Sequence, residues 1–150
     1  MNHKIFKIAL KASFFMLLLS GFAQMPIFKR YYIADIPGFG WLADFELTHA
    51  LHYGFAIVFC LLFFYHVALE MLAKRYADLS KKQVAYKLIN HGLTIGIVGT
   101  GMIMVLKNFP GCHMGPEVII GLDVTHLGLV MTLLGYKALG FVWMTYDRQS

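Results

Sequence analysis

Charge is scarce in this chain. Only 14% of its 150 residues are Asp, Glu, Lys or Arg, against roughly 25% in soluble domains. With 59% hydrophobic residues and a mean hydropathy of +0.64, a chain this short has no single core large enough to hide its apolar surplus. A bilayer is the expected solvent. Cysteine is scarce too: Cys60 and Cys112 form no CxxC and no zinc spacing, which excludes a disulfide scaffold and the usual c-type haem attachment. No nucleophile constellation, catalytic metal cage or nucleotide loop is present, so the chain does not read as a complete catalyst.

Acidic residues are fewer than basic ones, 8 against 13, giving a formal charge of +5 and a pI near 9.3. Such a balance suits a nucleic-acid binder only if the basic residues share a face. Here they stand at the ends of apolar runs, so no nucleic-acid partner is expected.

A spanning helix needs about 20 mostly apolar residues. Three uncharged runs approach or exceed that length: Ala12–Phe28, Leu47–Leu69 and Leu88–Leu106. A fourth, Val118–Met144, contains Asp123 and Lys137. Because Lys4, Lys7 and Lys11 precede the first run, it also has the outline of a secretory signal peptide, but we read it as a retained span. The fold expected is an all-α integral membrane protein, a bundle of four transmembrane helices at about 5–28, 47–72, 85–106 and 118–144, forming a single membrane domain. The segment between the first two helices, with Pro37-Gly38-Phe39-Gly40 and the aromatics Tyr31, Tyr32, Phe39 and Trp41, reads as an interfacial loop. No internal repeat and no low-complexity tract stands out along the sequence.

In this four-span arrangement Lys4, Lys7, Lys11, Lys74, Arg75, Lys81, Lys82, Lys87 and Arg148 lie on one side, and only Lys29, Arg30 and Lys107 on the other. The positive-inside rule then puts both termini in the cytoplasm.

Of seven histidines, His49, His52, His66, His91 and His126 fall within the spans. Ionisable groups in a bilayer are costly and usually functional. At 100° per residue, His52 and His66 lie about 40° apart around helix 2 and about 21 Å apart along it, one face at two depths. His49 is about 100° from His66, a second choice for the outer position. His66 and His91 each sit about 9 Å inside the cytoplasmic surface, while His52 and His126 lie about 8 and 12 Å inside the outer one. Two imidazoles per depth, with no adjacent Cys or carboxylate to complete a tetrahedron, fit the axial positions of two haems better than zinc.

Phe55, Phe59, Phe63 and Phe64 lie between the helix 2 histidines, where a macrocycle needs apolar contacts, though such aromatics are also ordinary in membrane helices. Gly54, Gly92, Gly96, Gly99 and Gly101, with the series Gly121, Gly128 and Gly135, let a neighbouring helix or a macrocycle approach the backbone closely. On helix 4, Asp123, His126 and Lys137 fall within about a 60° arc. That places Lys137 as a counter-ion to a haem propionate or as a side chain snorkelling to the interface.

The pattern His49-Ala-Leu-His52-Tyr-Gly54 with Phe64-Tyr65-His66 on one helix, and single His91 and His126 on the next two, resembles the small four-helix di-haem b-type cytochrome subunits of bacterial respiratory complexes. Relatives of these subunits anchor formate dehydrogenases, nickel-iron hydrogenases and thiosulfate reductases. The resemblance implies two haem b groups, held by His52 with His126 and by His66 with His91. It also implies electron exchange with a quinone pool, a bacterial inner-membrane location, and a periplasmic multihaem cytochrome c or iron-sulfur partner. The first span, with His3 outside it, departs from several such anchors in having no histidine. Asp123, His49, His113 and Glu117 are candidates for a quinone or quinol site. The loop pair Cys112-His113 is either incidental or a contact to a partner's cofactor. The alternative is a four-span Zn or Cu carrier or assembly protein using the same intramembrane histidines.

Overall fold

The structure is a computed structural model and describes residues 3–25, 35–73 and 79–146. Lys29, Arg30, Tyr31, Tyr32, Lys74, Arg75 and Arg148, used above for topology and interface, lie outside the described residues. The elements are α1 (His3–Ala23), a 3-10 turn (Gly40–Ala43), α2 (Phe45–Leu72), α3 (Lys81–Leu106) and α4 (Pro116–Tyr146). There is no strand among the described residues. All four helices are long and apolar enough to cross a membrane.

Local chemistry sets each boundary. The first apolar run extends to Phe28, yet α1 ends at Ala23. Gln24 and Met25 close tighter bonds to the Gly21 and Phe22 carbonyls at 3.2 and 3.0 Å. Pro26 follows, and proline has no N–H to continue a helix and drives its predecessor out of helical geometry. The side chain of Asp44 caps α2 by accepting from the Leu47 N–H at 3.1 Å, and Glu46 adds negative charge to the first turn. Four residues earlier than the expected start at 85, α3 begins at Lys81 because Ser80 and Gln83 form a capping box. Pro116 opens α4 at the position where proline costs nothing.

The chain divides between Arg75 and Tyr76 into two compact units. One is a hairpin of α1 against α2, with the 3-10 turn packed on both; the other is a hairpin of α3 against α4. In the first, Phe6, Ala23, Leu42 and Phe63 are buried; in the second, Leu133 is. The loop before each hairpin's second helix contains a Pro-Gly turn. Phe39 N–H donates to the Ile36 carbonyl at 2.9 Å across Pro37-Gly38, and Cys112 N–H to the Phe109 carbonyl at 3.1 Å across Pro110-Gly111. Gly38 and Gly111 have φ of 89° and 87°, the left-handed backbone that the third position of such a turn requires and that glycine accepts without strain.

Candidate imidazole sites in the two hairpins

His52 projects from α2 towards α1, where its Nδ1 lies 3.0 Å from the Ser20 hydroxyl oxygen. The ring rests over Gly21: a Cβ there would stand 3.2 Å from His52 Cε1 and 3.5 Å from Nδ1. In the second hairpin, His126 projects from α4 towards α3, with Nδ1 2.8 Å from the Thr100 hydroxyl oxygen. A Cβ on Gly101 would stand 3.5 and 3.9 Å from the same two ring atoms. Each hairpin therefore holds one half-buried imidazole against a hydroxyl-glycine pair on its other helix.

The correspondence extends along both helices. Ser20 and Thr100, Gly21 and Gly101, Phe6 and Tyr86, and Lys7 and Lys87 are each 80 positions apart (for example 100 − 20 = 80). His52 and His126, Gly54 and Gly128, and His66 and Gly140 are each 74 apart (126 − 52 = 74). Phe6 packs against His66 with ring centres 5.9 Å apart, and its counterpart Tyr86 lies over Gly140. The two hairpins thus share a register that the linear sequence does not display. Identical residues are few, and the two helices of a hairpin need different offsets.

His66 has different surroundings. Its Nε2 is 3.7 Å from Glu70 Oε1, one turn along α2, and Glu70 is buried at 5% exposure. His66 does share a face with His52, as the spacing implies, and that face packs on α1. Of the phenylalanines between them, Phe59 meets Phe14 and Phe63 at 5.8 and 5.9 Å, so both help close the hairpin, while Phe64 is exposed.

His49 lies one turn from His52. Its Nδ1 is 3.1 Å from Gln24 Oε1, and its ring sits between Phe45 at 5.3 Å and Tyr53 at 4.3 Å. The corresponding place in the second hairpin is Asp123 (49 + 74 = 123), whose carboxylate is 3.8 Å from Lys107 Nζ. His91 is half-buried on α3, and Lys137 is exposed on α4. His113 and Glu117 are exposed, and Cys112 is half-buried in the loop.

Sequence reasoning passed over Ser20, Gly21, Thr100, Gln24 and Glu70. The small-residue pairs Ser20-Gly21 and Thr100-Gly101 were the available signal. Of the glycines singled out for close approach, Gly96 and Gly101 meet a neighbour, Leu129 and His126 respectively. Positions Gly54, Gly92, Gly99, Gly121, Gly128 and Gly135 face open space among the described residues. No group of three or more His, Cys, Asp or Glu side chains gathers for a metal ion among the described residues.

Both expected histidine pairs draw one member from each hairpin. No protein family model, curated protein or solved structure matches this chain.

Proposed function

We propose that this chain is a multi-pass, di-haem b-type cytochrome subunit that carries electrons across a bacterial inner membrane between a quinone pool and a partner redox subunit. The reading is carried by the twice-built imidazole seat: His52 on Ser20-Gly21 and His126 on Thr100-Gly101. Metal-ligating histidines characteristically have their second ring nitrogen held by a neighbour, which fixes the ring and its basicity. A hydroxyl that already has a helical carbonyl to bond can serve as that neighbour without adding charge to an apolar span.

A bound haem supplies a one-electron carrier whose potential the protein sets. His52 and His126 would hold the outer group, with His49 the second choice for the place of His52. His66 and His91 would hold the inner group, once His66 exchanges its Glu70 contact for iron. Lys137 would balance a propionate. On this reading both termini are cytoplasmic, and the loops facing outward dock a periplasmic multihaem cytochrome c or iron-sulfur subunit. Asp123, His49 (with its Gln24 contact), His113 and Glu117 are the candidates for a quinone site.

Buried Glu70 beside His66 favours the second reading, a Zn or Cu carrier, because a carboxylate-imidazole pair is a metal donor set. One experiment decides. The purified full chain is reduced and its visible spectrum recorded. Two b-type haems per chain, both lost in His52→Ala with His66→Ala, support the cytochrome. Absence of any reduced haem band rejects it.

A further inference from the structure

We propose that Ser20 and Thr100 are positioning residues that lock His52 and His126 in the Nδ1-protonated form, leaving Nε2 of each as the electron-pair donor. The assignment of those Nε2 atoms as iron ligands rests on the cytochrome reading. The tautomer itself does not.

A serine or threonine hydroxyl has one hydrogen to give and two lone pairs to receive. Ser20 lies within donating distance of the Met16 carbonyl at 2.7 Å and the Leu17 carbonyl at 3.3 Å. Thr100 has the Gly96 and Ile97 carbonyls, both at 3.0 Å. A carbonyl only accepts, so the hydroxyl proton is directed back along its own helix. The remaining contact, hydroxyl oxygen to imidazole Nδ1 at 3.0 and 2.8 Å, then needs its proton from the ring. Nδ1 donates, and in a neutral imidazole Nε2 is the bare nitrogen.

Two features make this more than one fortunate contact. The arrangement occurs in both hairpins at corresponding positions, once with serine and once with threonine, so the hydroxyl is kept while the side chain differs. In each case a glycine follows the hydroxyl residue and lies under the ring, holding Cε1 at the backbone. Glycine sets the approach and the hydroxyl sets the tautomer. An isolated neutral imidazole prefers the proton on Nε2, so the seat inverts the intrinsic preference at both sites.

The test uses the full chain in detergent with 15N-labelled histidine. Two-bond nitrogen-proton correlation spectra should show His52 and His126 protonated at Nδ1 and bare at Nε2. Ser20→Ala should move only the His52 signals towards the Nε2-protonated pattern, Thr100→Val only those of His126, and Ser20→Thr should retain the wild-type pattern. Nε2 protonation in the wild type, or no response to either variant, overturns the proposal.

A hemin titration supplies the second readout. Loss of the hydroxyl should weaken hemin binding about tenfold or more and move the midpoint potential of that haem in the positive direction, because a less basic ligand favours ferric iron less; Ser20→Thr should restore both. Failure of the wild-type chain to bind hemin rejects the cytochrome reading, and the nitrogen spectra still decide the tautomer.

Discussion

The ring of Tyr86 on α3 lies so close over Gly140 on α4 that a Cβ at position 140 would stand 2.5 Å from both Cε2 and the hydroxyl oxygen. Tyr86 also stacks on Tyr136, with ring centres 4.9 Å apart and planes 18° apart. In the first hairpin the corresponding ring, Phe6, meets His66 instead. One hairpin thus has an imidazole where the other has a glycine that admits a larger ring. The same register carries a ligand candidate in one copy and packing in the other.

Gly140→Ala should loosen the second hairpin. Alanine gains up to about 1 kcal/mol over glycine in a helix interior, but overpacking costs about 1–3 kcal/mol, and Tyr86 is held by its stack on Tyr136. A net loss is expected in SDS-titrated unfolding. Combining it with Tyr86→Leu should cost less than the sum of the two single changes, because the second change removes the obstacle. Additive losses would mean that the Tyr86 ring is free to move aside.

Gly21→Ala and Gly101→Ala should behave differently. At Gly101 the new methyl is in ordinary contact with His126, 3.5 Å from Cε1, so the helix gain dominates and stability holds or rises by up to about 1 kcal/mol. At Gly21 the distance is 3.2 Å, and the His52 ring must shift. Hemin affinity should fall for Gly21→Ala and stay near wild type for Gly101→Ala, as read by titration in detergent. Equal effects would contradict the closer seat at His52.

Four apolar helices were legible because spanning length and lack of charge are properties of single segments. Their ends were less so. The lysines at 81, 82 and 87 delay the apparent start of α3, although Ser80 and Gln83 are a local signal for the true one. The shared face of His52 and His66 followed from helical geometry, and it is the face that packs on α1. What that face meets was not readable, because the register of one helix against another depends on side-chain packing across both. Ser20 and Thr100 look like ordinary small residues until the opposite helix brings an imidazole to each. The parallel between the hairpins was hidden for a related reason: offsets of 80 in the first helices and 74 in the second defeat any ungapped alignment.

Asp123→Asn should cost little. The Lys107–Asp123 pair is 3.8 Å long, and the Asp123 side chain is 52% exposed. Pairs of that kind contribute roughly 0.2–1 kcal/mol. SDS-titrated unfolding should therefore shift by less than about 1 kcal/mol, and the shift should shrink as salt is added. A larger, salt-insensitive loss would show that the pair is shielded from water.

On the cytochrome reading, Glu70→Gln should ease loading of His66. His66 Nε2 faces the Glu70 carboxylate at 3.7 Å, and a nitrogen that bonds iron cannot keep that contact. A contact to a charged carboxylate holds the ring more strongly than one to a neutral amide would, so the carboxylate competes with a metal for Nε2. Glutamine keeps the size of the side chain and removes the charge. In a hemin titration of the full chain, the equivalent lost in His66→Ala should bind more tightly in Glu70→Gln. The equivalent lost in His52→Ala should be unaffected. A weaker inner site in Glu70→Gln would mean that the carboxylate supports His66 as a ligand, and would favour the carboxylate-imidazole metal site over the haem.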